Sequence, residues 1–121
     1  MQILHLVKKL QENRSTVGRV RELLFTHLSQ GDVNMERVAR KLAMSVATLR
    51  RRLASENVNF SEIADGLREE LARRYLEEQT HATSEVAFLL GFSDVVSFHK
   101  AFRRWTAMTP AEYRDQQRAA K

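Results

Sequence analysis

The chain has 121 residues, enough for one compact domain or two very small ones, and its 20 Lys and Arg against 15 Asp and Glu give a formal charge of +5. That balance suits a polyanion such as nucleic acid, and a chain this short leaves little room for an enzyme cleft. With no cysteine there is no disulfide framework, thiolate zinc site or thiol nucleophile, so zinc fingers and thiol enzymes are excluded and a reducing cytoplasm is expected.

The longest apolar run, residues 86–90, is far too short for a bilayer, and MQILHLVKKL lacks a signal peptide's apolar core and cleavage site. One Pro and four Gly, with abundant Ala, Leu, Glu and Arg, favour helices, and no stretch alternates long enough to propose a strand. In chain order, Ile3, Leu4, Leu6, Val7 and Leu10 have helical spacing and mark an optional short helix or the end of a connector. After a polar break, Val17, Val20, Leu23, Leu24 and Leu28 mark a helix ending near Gly31, which suits a left-handed cap. Asn34 caps a short helix whose inward residues are Met35, Val38, Ala39 and Leu42. Ser45 caps a third helix, SVATLRRRLASEN, with Leu49 and Leu53 inward and Asn57 able to take the left-handed C′ position. The short helix, turn and third helix form a helix-turn-helix unit.

From Ser61 to about Gln79, Ile63, Leu67, Leu71, Tyr75 and Leu76 describe a longer helix interrupted only by Gly66, roughly 28 Å long at 1.5 Å per residue. Thr83 or Ser84 then caps EVAFLLGF, and Ser93 or Asp94 caps GFSDVVSFHKAFRRW. Thr109-Pro110-Ala111-Glu112 is a capping box with proline at the first helical position. The expected fold is all-α, with about seven helices: an extension over 1–14, a first helix-turn-helix subdomain over 15–58, a linker helix over 59–80 and a second subdomain over 81–121.

Ala39-x-x-Leu42-x-Met44-Ser45 and Ala87-x-x-Leu90-Gly91-Phe92-Ser93 share one pattern about 48 residues apart, and Leu49 with Leu53 in the first copy answers Phe98 with Phe102 in the second. The later partners of the second copy predict a turn or helix start one residue longer. At 100° per residue, setting Phe98 inward carries Phe102 and Trp105 with it and turns Val96, Lys100 and Arg103 nearly opposite, flanked by Ser97, His99 and Arg104. In the first copy Ala47, Arg51 and Ala54 point away from Leu49 and Leu53, beside Thr48 and Arg50. Both outward faces mix small and basic residues and suit a major groove. One chain then supplies two recognition helices, about 45–56 and 94–105, to successive groove segments about 34 Å apart, acting as a monomer on an asymmetric site.

These residues resemble the DNA-binding domain of the AraC/XylS family of bacterial transcription regulators over roughly residues 17–115. GFSDVVSFHKAFRRWTAMTPAEYR resembles the family signature around the second unit, VARKLAMSVATLRRRLASE the first unit, and FSEIADGLREELARRYLEE the linker. The resemblance implies binding of double-stranded promoter DNA and contact with RNA polymerase in a bacterial cytoplasm, near the nucleoid. It implies base-edge contacts from Ala47, Arg50, Arg51, Val96, Ser97, His99 and Lys100. Phosphate contacts are expected from Ser45, Thr48, Arg52, Arg103 and Arg104, with Arg52 nearer the core-facing edge and able to pack instead. Asn57 and Ala107 stand where the family usually has glycine, and Ala in a left-handed conformation costs roughly 1 kcal/mol. Regulators of this kind usually carry an upstream effector or dimerisation domain, and this segment is expected to bind no small-molecule effector and no cofactor.

Other readings of the same residues are weaker. Phe88, Phe92, Phe98, Phe102 and Trp105 have the spacing of core residues rather than of base-stacking platforms. His5, His27, His81 and His99 place no metal-ligand pair on one helix face, and Glu69-Glu70 and Glu77-Glu78 are adjacent residues pointing about 100° apart, better paired with Arg73 and Arg74 than used as a catalytic dyad. An enzyme is therefore rejected. The alternative function is a protein-interaction module, for RNA polymerase or a partner regulator, motivated by the apolar stretch Ile3 to Leu10.

Overall fold

The computed structural model describes residues 15–30 and 34–120, together with Ile3. The apolar stretch 4–10 and the cap expected at Gly31 lie outside the described residues. Seven α-helices run through the described chain: α1 Thr16–His27, α2 Met35–Lys41, α3 Val46–Ser55, α4 Phe60–Glu78, α5 Thr83–Leu89, α6 Val95–Thr106 and α7 Pro110–Ala120, with a 3-10 turn Leu28–Gln30 after α1. No strand occurs among them.

The helices start where short polar side chains meet orphan backbone N–H groups. Ser15 Oγ accepts from Gly18 N–H at 2.9 Å, and the Glu56 carboxylate, 40 residues on, accepts from Thr16 N–H at 3.2 Å. Asn34 accepts from Glu36 N–H at 2.8 Å, and Ser45 from Thr48 N–H at 3.1 Å. Asn59 and Glu62 form a reciprocal box at the start of α4, and Thr109 and Glu112 form the expected one at α7. At α5 the cap differs from expectation: Ala82 is the N-cap, with Thr83 already helical. Ala82 has no side-chain acceptor, and the compensation is Glu85, whose carboxylate accepts the Ala82 N–H at 3.4 Å.

Two compact units divide the described chain, the first comprising 15–26 and 34–65 and the second 27–30 and 66–120, so α4 begins in one and ends in the other. In the first, Val20, Leu24, Val38, Ala39, Leu49, Leu53, Ile63 and Ala64 are buried. In the second, Leu28, Leu67, Ala72, Leu76, Val86, Ala87, Leu90, Phe98, Ala101, Phe102 and Tyr113 are buried. Met35, Leu42, Leu71 and Tyr75, expected to face inward, are half-buried; along α4 the small Ala64 and Ala72 are buried together with Ile63, Leu67 and Leu76.

One aromatic expectation is corrected. Phe92 and Trp105 are half-buried around the fully buried Phe98 and Phe102, but Phe88 is 68% exposed. In α5 and its C-cap, Val86, Ala87 and Leu90 take the inward stripe, and Phe88 lies about 100° beyond Ala87, past its edge.

Candidate nucleic-acid interface

The repeat seen in the sequence becomes a repeat of backbone hydrogen bonds. After α2, Leu42 N–H donates to Val38 O, Ala43 N–H to Arg40 O and Met44 N–H to Ala39 O, each at 3.0 Å. After α5, Leu90 N–H donates to Val86 O, Gly91 N–H to Phe88 O and Phe92 N–H to Ala87 O, again at 3.0 Å. Both turns pivot on a left-handed residue, Ala43 at φ 57° and Gly91 at φ 82°. The alanines at the helix contacts, Ala39 and Ala87, are both buried, leaving room for α2 to pack on α3 and α5 on α6. The next N-caps are Ser45 and Asp94, so the second turn is one residue longer, as the sequence register predicted.

Each unit thereby fixes one helix by its inner stripe and leaves the other side open. On α3, Leu49 and Leu53 are buried while Ala47, Arg50, Arg51 and Ala54 are exposed and Thr48 is half-buried. Arg52, placed by helix geometry near the core edge, is also exposed: its stem is long enough to carry the guanidinium clear. Ser45 is committed locally, accepting the Thr48 N–H and donating to Thr48 Oγ1 at 2.9 Å.

On α6, Phe98, Ala101 and Phe102 are buried, while Val96, Lys100, Arg103 and Arg104 are exposed and Ser97 and His99 are half-buried. The His99 ring meets the Phe98 ring edge-on, with centroids 6.4 Å apart. Asp94 Oδ1 accepts the Ser97 N–H at 2.7 Å, and this bond, ahead of the field of Lys100, holds the Asp94 carboxyl below its ordinary range.

Within the second unit, α4 and α7 brace α6 and the turn before it through contacts that helix periodicity does not reveal. Arg68 Nε donates to Leu90 O at 3.3 Å, and its guanidinium lies 5.3 Å from the Phe92 ring centroid, tying the turn to α4. Tyr113 packs edge-on against Phe102 and donates its hydroxyl to Glu77 at 2.5 Å, with Arg73 over its ring. Burial, then Glu77, pushes the Tyr113 phenol up from its ordinary value. The expected pairs Arg73–Glu69 and Arg74–Glu70 close at 2.8 and 3.2 Å along α4. Among the described residues no group of three His, Asp or Glu could hold a metal, and no helix is long and apolar enough to cross a membrane.

Two short-helix, turn, helix units, each presenting a basic outer face on an anchored second helix, define a tandem helix-turn-helix protein. A family profile described as "Helix-turn-helix domain" matches residues 38–116. The chain belongs to this helix-turn-helix family, in its AraC-type form. It is 37% identical over 111 residues to the ornithine utilization regulator of Pseudomonas aeruginosa, covering 91% of this chain and 32% of that protein. Among solved structures it resembles the transcriptional regulator CdpR of Pseudomonas aeruginosa, at a TM-score of 0.72 and 39% identity over 83% of this chain and 31% of that one. It also resembles the DNA-binding domain of the global transcriptional factor AdpA, solved in complex with a target DNA, at a TM-score of 0.75 and 28% identity, covering 88% of this chain and 96% of that one. The chain spans about a third of the length of the curated relative it matches.

Proposed function

We propose that the chain is a sequence-specific double-stranded DNA-binding transcription regulator, or the DNA-binding part of one, that inserts α3 and α6 into successive major-groove segments of a promoter. The observation carrying this reading is the duplicated turn: the same three backbone bonds recur about 48 residues apart, each followed by a helix anchored on one side and basic on the other. The names of the relatives and the DNA-bound state of AdpA support it. Arg50 and Arg51 on α3 and Lys100 on α6 read base edges, most strongly guanine, while Arg52, Arg103 and Arg104 meet phosphates. One chain carries both reading helices, so it binds as a monomer, in the cytoplasm, to a site whose halves differ. RNA polymerase is the second partner in this reading.

Selection from a random duplex pool tests it. The expected result is an asymmetric motif in two blocks about one duplex turn apart, with preference reduced when Arg50, Arg51 and Lys100 are replaced by Ala while helicity by circular dichroism is unchanged. Binding without enrichment that falls steeply with salt would overturn sequence reading and leave phosphate attraction alone. A protein-contact reading is favoured at one point, the exposed Phe88, which with Leu89, His81, Ser84 and Glu85 lines a shallow hollow of about 290 Å³.

A further inference from the structure

The first unit holds a hollow of about 440 Å³ lined by the second half of α3, the turn that follows it and the start of α4. Met35, Leu53, Val58 and Phe60 supply its apolar walls, and Arg50 is the charged side chain among its lining. Local backbone geometry fixes these walls. Asn57, at φ 63°, turns the chain back so that Val58 N–H donates to Leu53 O at 3.1 Å, and the Asn59–Glu62 box sets the first turn of α4. The hollow is therefore preformed.

The second unit builds the same turn and fills it. There α6 also ends on a left-handed residue, Ala107 at φ 64°, and two residues later Thr109 and Glu112 repeat the box of Asn59 and Glu62. The residue after the cap differs in its fate: Pro110 is buried, whereas Phe60 is half-buried. Met35 and Val58 are likewise half-buried, so the first unit leaves in the open an apolar lining that its counterpart covers. The turn itself does not demand the opening.

An apolar hollow of a few hundred Å³ with one polar anchor has the form of a small-molecule site. Among the described residues Arg50 makes no ion pair, and a guanidinium takes a carboxylate through two parallel hydrogen bonds. The Phe60 ring and the Met35 thioether favour an aromatic body over a plain chain. We infer that this hollow is a binding site for a small aryl carboxylate, with the carboxylate on Arg50 and the ring against Met35, Val58 and Phe60. This departs from the expectation that the segment binds no small molecule. Its consequence rests on the DNA-binding reading above: one guanidinium does not hold a carboxylate and a base edge together, so ligand and DNA exclude each other at α3. By linkage each weakens the other by the same factor.

The test titrates phenylbutyrate into the full chain, with phenylbutanol as its uncharged twin, and follows amide and methyl NMR signals. Saturable shifts are expected at Met35, Ala54 and Val58, with the acid binding about tenfold tighter than the alcohol, the value of a hydrogen-bonded charge. Arg50→Gln should erase that difference and leave the alcohol unchanged. Ala54→Leu, at an exposed position lining the hollow, should fill it and weaken both probes; unchanged melting temperatures show that both variants are folded. On the duplex enriched from the random pool, saturating phenylbutyrate should then weaken wild-type binding about tenfold and leave Arg50→Gln indifferent. Absence of saturable shifts at these residues, equal affinity for acid and alcohol, or DNA affinity undiminished at saturation would overturn the inference while leaving sequence-specific binding intact. If no duplex enriches, the DNA-binding reading and the exclusion built on it fail, and the titration without DNA still decides the site.

Discussion

Phe88 and Phe98 are ten residues apart and chemically identical, yet one is 68% exposed and the other fully buried. Phe98→Ala is expected to cost about 3–5 kcal/mol, a large share of the roughly 5–15 kcal/mol that holds a domain folded, whereas Phe88→Ala should stay within about 0.5 kcal/mol. Urea denaturation of the two variants checks the contrast, and similar losses would place Phe88 in the core after all. The left-handed alanines make a second case. Ala43 at φ 57° and Ala107 at φ 64° hold a conformation that penalises a Cβ, and the equivalent of Ala43 in the second unit is Gly91. Ala43→Gly and Ala107→Gly should each raise stability by about 0.5–1 kcal/mol, read as a higher melting temperature, the gain being trimmed by the extra freedom of glycine in the unfolded chain.

Among the helices, α4 and α6 give the clearest expectations. Gly66 lies inside α4, and a Cβ built on it meets nothing within 4 Å. Gly66→Ala should therefore stabilise by about 1 kcal/mol through helix propensity alone, and a loss of stability in a thermal melt would mean that the glycine serves a bend. The start of α6 rests on Asp94, whose carboxyl is held below its ordinary value near 3.8 first by the Ser97 N–H. A carboxyl lowered in the folded state stabilises fully above its unfolded pKa, and that contribution disappears as pH falls through the folded value. Glu112 at α7 is lowered in the same sense by Thr109. Stability should accordingly fall below about pH 4, and Asp94→Asn, which still accepts the Ser97 N–H but does not titrate, should show a shallower fall in melts taken from pH 6 to pH 2.

For the molecule as a whole, the excess of positive charge predicts salt-sensitive binding: the logarithm of the association constant should fall linearly with that of salt concentration. Removing a phosphate contact and removing a base reader then have different signatures. Arg103→Ala should weaken target and scrambled duplexes alike and flatten the salt slope by about 1, whereas Arg51→Ala should cost about 1–3 kcal/mol on the target alone. Filter binding at several salt concentrations with both duplexes separates them, and an Arg103 effect confined to the target would move that residue into the base-reading set.

The order of residues by itself determined the all-α class, the two helix-turn-helix units, the caps at Asn34, Ser45 and Thr109, and the inward stripe of Leu49, Leu53, Phe98 and Phe102, and it narrowed the α6 cap to Ser93 or Asp94. Each of these follows from interactions within about four residues, where the 3.6-residue period and the reach of a short polar side chain decide the outcome. The Ala39 and Ala87 repeat was legible for the same reason, since one local turn geometry demands one local pattern. Only the tertiary structure decided which apolar residues win the core, exposing Phe88 and burying Ala72, because several candidates share a helix and the neighbouring element has room for some of them. It likewise placed Glu56 on the α1 N-terminus and Arg68 on the second turn, contacts spanning 40 and 22 residues that no periodicity encodes.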